Sequence, residues 1–127
     1  MRKQYHLLRI EGILHAWDVD RLIELSANLP ISEVALDDIA ELDEPYWFEE
    51  LPTCRQIAMH VDLCHAADLN YPIILSSSGR VMDGMHRVVK ALSEGHKTIK
   101  AVKLPNALPP DHIGLEADEL SYERSGE

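Results

Sequence analysis

Residues 72–104, PIILSSSGRVMDGMHRVVKALSEGHKTIKAVKL, constrain the fold most, because their hydrophobic period passes from strand to helix and back. Pro72 to Leu75 is a continuous apolar run bounded by turn residues and reads as a buried strand. SSSG (76–79) supplies a turn and Arg80 to Met82 a second short strand, so a hairpin is expected. His86 to Glu94 has helical spacing through Val88, Val89, Ala91 and Leu92, with Gly95 where a helix-ending glycine belongs. Thr98 to Leu104 is strand-like again. Upstream, Thr53 caps a helix to about Leu69, whose Cys54, Ile57, Ala58, Val61, Cys64 and His65 fall on one arc. The order over 53–104 is thus helix, strand, turn, strand, helix, strand. The expected class is α/β (α+β), a small mixed sheet flanked by helices.

The rest of the chain is less regular. At 127 residues it suits one domain with a real core. Residues 1–17 hold short apolar stretches that fit strand or helix. Asp18 is placed to cap a helix through Asn28, with Val19, Leu22, Ile23 and Leu25 on its apolar face and Pro30 ending it. ISEVAL (31–36) reads as a strand, and Asp37 can cap a brief turn, DDIAEL. In the loop 43–52, Tyr46, Trp47 and Phe48 either plug the core or stack on a base. The organisation expected is an N-terminal extension with a helix (1–29), a core (30–104) and an acidic, proline-containing tail (105–127), its last ten or so residues disordered.

Composition removes several functions. No apolar run is long enough to span a membrane, and MRKQYHLLRIEG has no signal-peptide core, so a cytoplasmic protein is expected. Cys54 and Cys64 show no C-x-x-C spacing, which indicates neither a disulfide framework nor a zinc ribbon. A formal charge of -10 argues against direct nucleic-acid binding. The positive charge is concentrated: Arg80, Arg87, Lys90, Lys97, Lys100 and Lys103 are half of the 12 Lys and Arg residues. The plainer reading is a solvated helix face; the sharper one is a site for a small anion.

The segment VMDGMHR (81–87) gives the sharper reading its chemistry. Gly84 lets the backbone turn sharply and a ligand approach closely. A helix opening at Met85 or His86 leaves its first N–H groups without partners at the positive end of the dipole, which suits a phosphate. Arg87 can add a fork of donors, and His86 a donor or an acid/base group. A bare phosphate would repel Asp83, so it fits a helix N-cap, a metal ligand or the base for an attacking hydroxyl. Arg80 and Lys90 lend positive potential from the periphery.

Set in this strand–turn–strand–box–helix frame, the segment resembles the core of the ParB/sulfiredoxin-like superfamily over roughly residues 30–104. The resemblance implies a compact fold of that type and a D-G-x-H-R box that handles nucleotide phosphates. Sulfiredoxins carry a catalytic cysteine immediately before His-Arg; Met85 stands there, which disfavours that activity. ParB partition proteins bind CTP with the box and DNA with a separate domain for which this chain has no room. The free-serine kinase type is nearest. It implies Gly84, Met85, His86 and Arg87 at phosphate and Asp83 and His86 in catalysis. It also implies a nucleotide (ATP, ADP or CTP) with magnesium, and an upstream base for which Glu41, Asp43, Glu49 and Glu50 are candidates. A small magnesium-dependent phosphotransferase or nucleotide hydrolase is one expectation. A noncatalytic nucleotide-binding or protein-interaction module, with a protein partner or a second copy, is the other.

Rival constellations are weaker. His60 and Cys64 are i,i+4 with Asp68 continuing the row, a spacing that seats a transition metal but has no matching second motif. His60 fits better at the border of the ligand cleft. Cys54, near a helix N-terminus, has no identifiable partner histidine.

Overall fold

The computed structural model describes residues 2–123. Its chain begins with the segment the sequence left open. Tyr5–Ile10 (β1) and Ile13–Asp18 (β2) pair antiparallel, with Ile10 opposite Ile13. Glu11 and Gly12 between them both take positive φ, 51° and 81°, as a two-residue hairpin turn requires. The side chain of Asp18 then caps α1 by accepting from Asp20 N. This helix, Val19–Ser26, is shorter than expected, and of its predicted apolar face only Val19 and Leu22 are buried. Ile23 and Leu25 are exposed.

Ser32–Ala35 (β3), Ile73–Leu75 (β4), Val81–Asp83 (β5) and Thr98–Lys103 (β6) form a second sheet in the order β3-β6-β4-β5. β4 runs parallel to β6 and every other pairing is antiparallel, so the sheet is mixed and the fold α+β. Cys54–Ala66 (α2) precedes β4, and Met85–Ser93 (α3) links β5 to β6. Thr53 and Gln56 close a capping box at the start of α2.

Strand alternation sorts the core into two layers. Ile73, Leu75, Val81, Ile99 and Ala101 face α3, where Met85, Val88 and Ala91 meet them. Ile74, Met82 and Val102 face the other way, against Trp17, Val19 and Leu22. Both faces of β4 are covered, which is why IIL is buried throughout.

Part of the tail joins the first sheet. His112–Ile113 (β7) pairs with β2, so the two ends of the chain share the first sheet. Trp17 Nε1 donates to Leu108 O at 2.8 Å, and Leu120 is buried. Lys3 N donates to Tyr122 O at 3.1 Å, which ties the tail to the N-terminal segment at Tyr122. The disorder expected for residues 124–127 falls outside the described residues. Among those described, no helix is long and apolar enough to cross a membrane.

Candidate functional site

α3 starts without a side-chain cap. Gly84 occupies the N-cap position at φ 103°, and Val88 N is bonded to its carbonyl. Asp83, expected as one possible cap, does not cap. A β-carbon at Gly84 would sit 2.7 Å from Ile73 Cγ2 and 2.8 Å from Arg87 Nη2, so glycine is required by φ and by space alike. The uncapped first turn opens into a cleft of ≈ 700 Å³ that Asp83, Gly84, Met85 and His86 line. A neighbouring groove of ≈ 810 Å³ shares Asp83, Gly84 and His86 and adds Arg87.

The predicted cations are engaged elsewhere. Arg87 turns inward: Nη1 donates to Tyr71 O (3.0 Å) and Pro72 O (2.9 Å), and Nη2 to Asp83 Oδ2 (2.9 Å). Its fork staples the entrance of β4 to the end of β5 and holds the Asp83 carboxylate. Arg80 bridges to Glu44 with contacts of 3.1 and 2.5 Å. Lys90 Nζ closes the end of α2 by donating to His65 O and Ala67 O. Among the described residues, the Lys and Arg side chains lining the ≈ 700 Å³ cleft are instead Arg2 and Lys3. Lys3 is 2.7 Å from Asp18, and Arg2 lies over the Tyr122 ring at 4.2 Å. Sequence reasoning missed both, since nothing local places residues 2–3 beside residue 84.

Opposite the loop stands a three-ring assembly. His60 Nδ1 and His86 Nε2 are 2.8 Å apart, with planes only 19° from parallel. Trp47 stacks over both, 4.4 Å from each ring, so one bicyclic indole covers two hydrogen-bonded imidazoles. Phe48 abuts His60 edge-on. Burial, and then the neighbouring His60, push His86 down to about 4; burial lowers His60 as well. His60 lines the same cleft as His86. Nearby, Tyr46 donates its hydroxyl proton to Val81 O at 3.0 Å. Its contact of 3.4 Å with His6 Nδ1 therefore needs a proton on that nitrogen. Burial brings His6 to about 4.

The upstream carboxylates lie away from the cleft. Glu41 is buried, 3% exposed, with Oε2 accepting from Val81 N and Oε1 unpartnered. Glu49 pairs with Arg9, and Asp43 and Glu50 are exposed. None of the four lines the cleft or the groove; Asp83 lines both. Among the described residues no three His, Cys, Asp or Glu side chains converge as a metal-ligand set, so His60, Cys64 and Asp68 do not assemble one. Cys64 is half-buried, which raises its thiol; Cys54 is exposed.

No protein-family model matches this chain, and no match was found among curated proteins or solved structures.

Proposed function

We propose that the chain binds a phosphorylated small molecule, a nucleotide with magnesium, at the first turn of α3. The observation that carries this reading is the uncapped N-terminus of α3, held open by Gly84 and facing a cleft that Arg2 and Lys3 also line. Phosphate oxygens would meet the backbone N–H groups of Met85, His86 and Arg87. The Arg87 side chain would act by fixing the loop rather than by touching phosphate, given its contacts to Tyr71, Pro72 and Asp83. The order strand, helix, hairpin, box, helix, strand supports assigning roughly residues 30–104 to the ParB/sulfiredoxin-like type. A cytoplasmic setting suits such a ligand. The acidic surface opposes a nucleic-acid partner.

A noncatalytic binding module is favoured over an enzyme. The one carboxylate of the phosphate loop, Asp83, is already paired with Arg87, and no upstream carboxylate lines the cleft. The second reading, a phosphotransferase or nucleotide hydrolase, rests on Asp83 and His86 lining one cleft.

Thermal-shift measurements with CTP, ATP, ADP and GTP plus magnesium test the proposal. A ligand present at a hundred times its Kd adds about 2.7 kcal/mol, which is several degrees in Tm. The gain should shrink in an Arg2→Ala/Lys3→Ala variant. No stabilisation by any nucleotide would overturn the reading. Sustained phosphate release that disappears in Asp83→Asn would replace the module with the enzyme.

A further inference from the structure

The His60–His86 pair lines the same cleft as the first turn of α3, yet among the described residues neither ring is hydrogen-bonded to a carboxylate. The charged groups around it are occupied. Asp83 is bound to Arg87, Lys90 to two carbonyls of α2, Lys3 to Asp18, and Glu44 and Glu49 to Arg80 and Arg9. Tyr46 gives its proton to Val81 O, His6 sits behind Tyr46, and on α2 Cys64 is half-buried while His65 is exposed. At the end of α3, Glu94 lines a pocket beside His60 and lies 3.3 Å from His96, and on α2 Asp62 is exposed. Among the described residues no hydrogen bond or ion pair joins the histidine pair to a carboxylate.

The 2.8 Å contact defines what the pair can do with a proton. In the neutral pair one facing nitrogen donates and the other accepts. One added proton, on an outer nitrogen, makes an imidazolium that still donates to its neutral neighbour, and the hydrogen bond becomes charge-assisted. A second proton would put hydrogens on both facing nitrogens and break it. Trp47 lies over both rings, so its π face favours the singly charged pair wherever the charge sits.

We propose that the His60–His86 pair is a proton-coupled counter-charge for the site: it takes up one proton as a phosphate group seats at the first turn of α3. This inference rests on the phosphate-binding reading above. Its consequence is regulatory, since the affinity for a dianion rises as the pH falls through the weakly acidic range. Burial, which lowers both rings, leaves the pair largely neutral until a ligand arrives.

The test is a side-chain NMR titration of the histidines in the full chain, with and without sulfate. Sulfate is a dianion that does not itself titrate in this range. Backbone amides of Met85, His86 and Arg87 are followed in the same samples, with His15 and His96 as internal references. The expected result is that sulfate shifts those amides and raises the pair's midpoint by about one pH unit, equivalent to a tenfold gain in sulfate affinity at low pH. In His60→Gln/His86→Gln, where two amides can keep a hydrogen bond, affinity should lose that pH dependence. Trp47→Leu should lower the pair's midpoint both with and without sulfate, because the indole face favours the charged pair in either state. Amides that shift while the midpoint stays fixed would overturn the proton coupling and leave the phosphate site standing. Amides and midpoint both unmoved at every pH would overturn the site and the coupling together.

Discussion

α3 sinks Met85, Val88 and Ala91 into the core, whereas α2, though longer, buries no side chain completely. Both helices flank the cleft. One is a wall built into the sheet; the other rests on it through the His60–His86 contact and the Lys90 contacts to its last carbonyls. Ile57, Met59, Val61 and Leu63 of α2 are each about half exposed. The difference teaches that the helix opening at Gly84 is held by packing into the core, while the helix facing it is held by a few polar and aromatic contacts.

The largest effect that would sharpen this comparison is expected for Gly84→Ala. The positive φ and the contacts with Ile73 and Arg87 together cost roughly 4 kcal/mol. Urea unfolding reads this directly, and a loss under 1 kcal/mol would mean that the loop is not rigid. The same method applied to one chemistry in both helices comes next. Met85→Ala should cost about 3 kcal/mol, and Met59→Ala no more than about 0.5 kcal/mol. Equal losses would erase the distinction between the walls.

A third effect depends on pH. His6 has a folded value of about 4 against an ordinary 6.5, so the unfolded chain takes up the proton first as the pH falls. Its contribution is complete above pH 6.5 and is lost progressively down to about 4, on the order of 2–3 kcal/mol. His86 adds a smaller loss in the same window, being more open to solvent. Denaturation midpoints measured across that range should fall, and His6→Phe should flatten the curve. The smallest effect belongs to the loosely held wall. Thr53→Ala removes the cap of α2 for about 1 kcal/mol. In hydrogen exchange it should speed the amides of α2 while leaving those of α3 unchanged.

How far the sequence could be read follows the same division. From 72 to 104 each strand buries what its pattern says, because the sheet is covered on both faces and α3 has a single apolar stripe. α2 carries an equally good cap signal, but its apolar residues point several ways. The predicted arc of Cys54, Ile57, Ala58, Val61, Cys64 and His65 is mostly solvent-facing, with only Cys64 half-buried. Periodicity shows that a helix forms, not that a partner exists for its face. The N-terminal hairpin was ambiguous because Leu7, Leu8, Ile10 and Ile13 are apolar yet exposed, which blurs the alternation. Glu11-Gly12 between two apolar runs was the signal that could have found it.

For the site, the glycine turn and helix start were legible because they are local. The inward turn of Arg87, the covering of the histidine pair by Trp47 and the placement of Arg2 and Lys3 were not. Each depends on elements far apart in sequence, and no spacing rule joins residues 60 and 86, or 3 and 84.

The central claim is that the first turn of α3 receives phosphate. Titrating the isotope-labelled chain with pyrophosphate and following every backbone amide tests it most directly. The account predicts that Met85, His86 and Arg87 shift most, with Arg2 and Lys3 responding and the outer face of α2 silent. Shifts confined to other surfaces, or none at all, would contradict it.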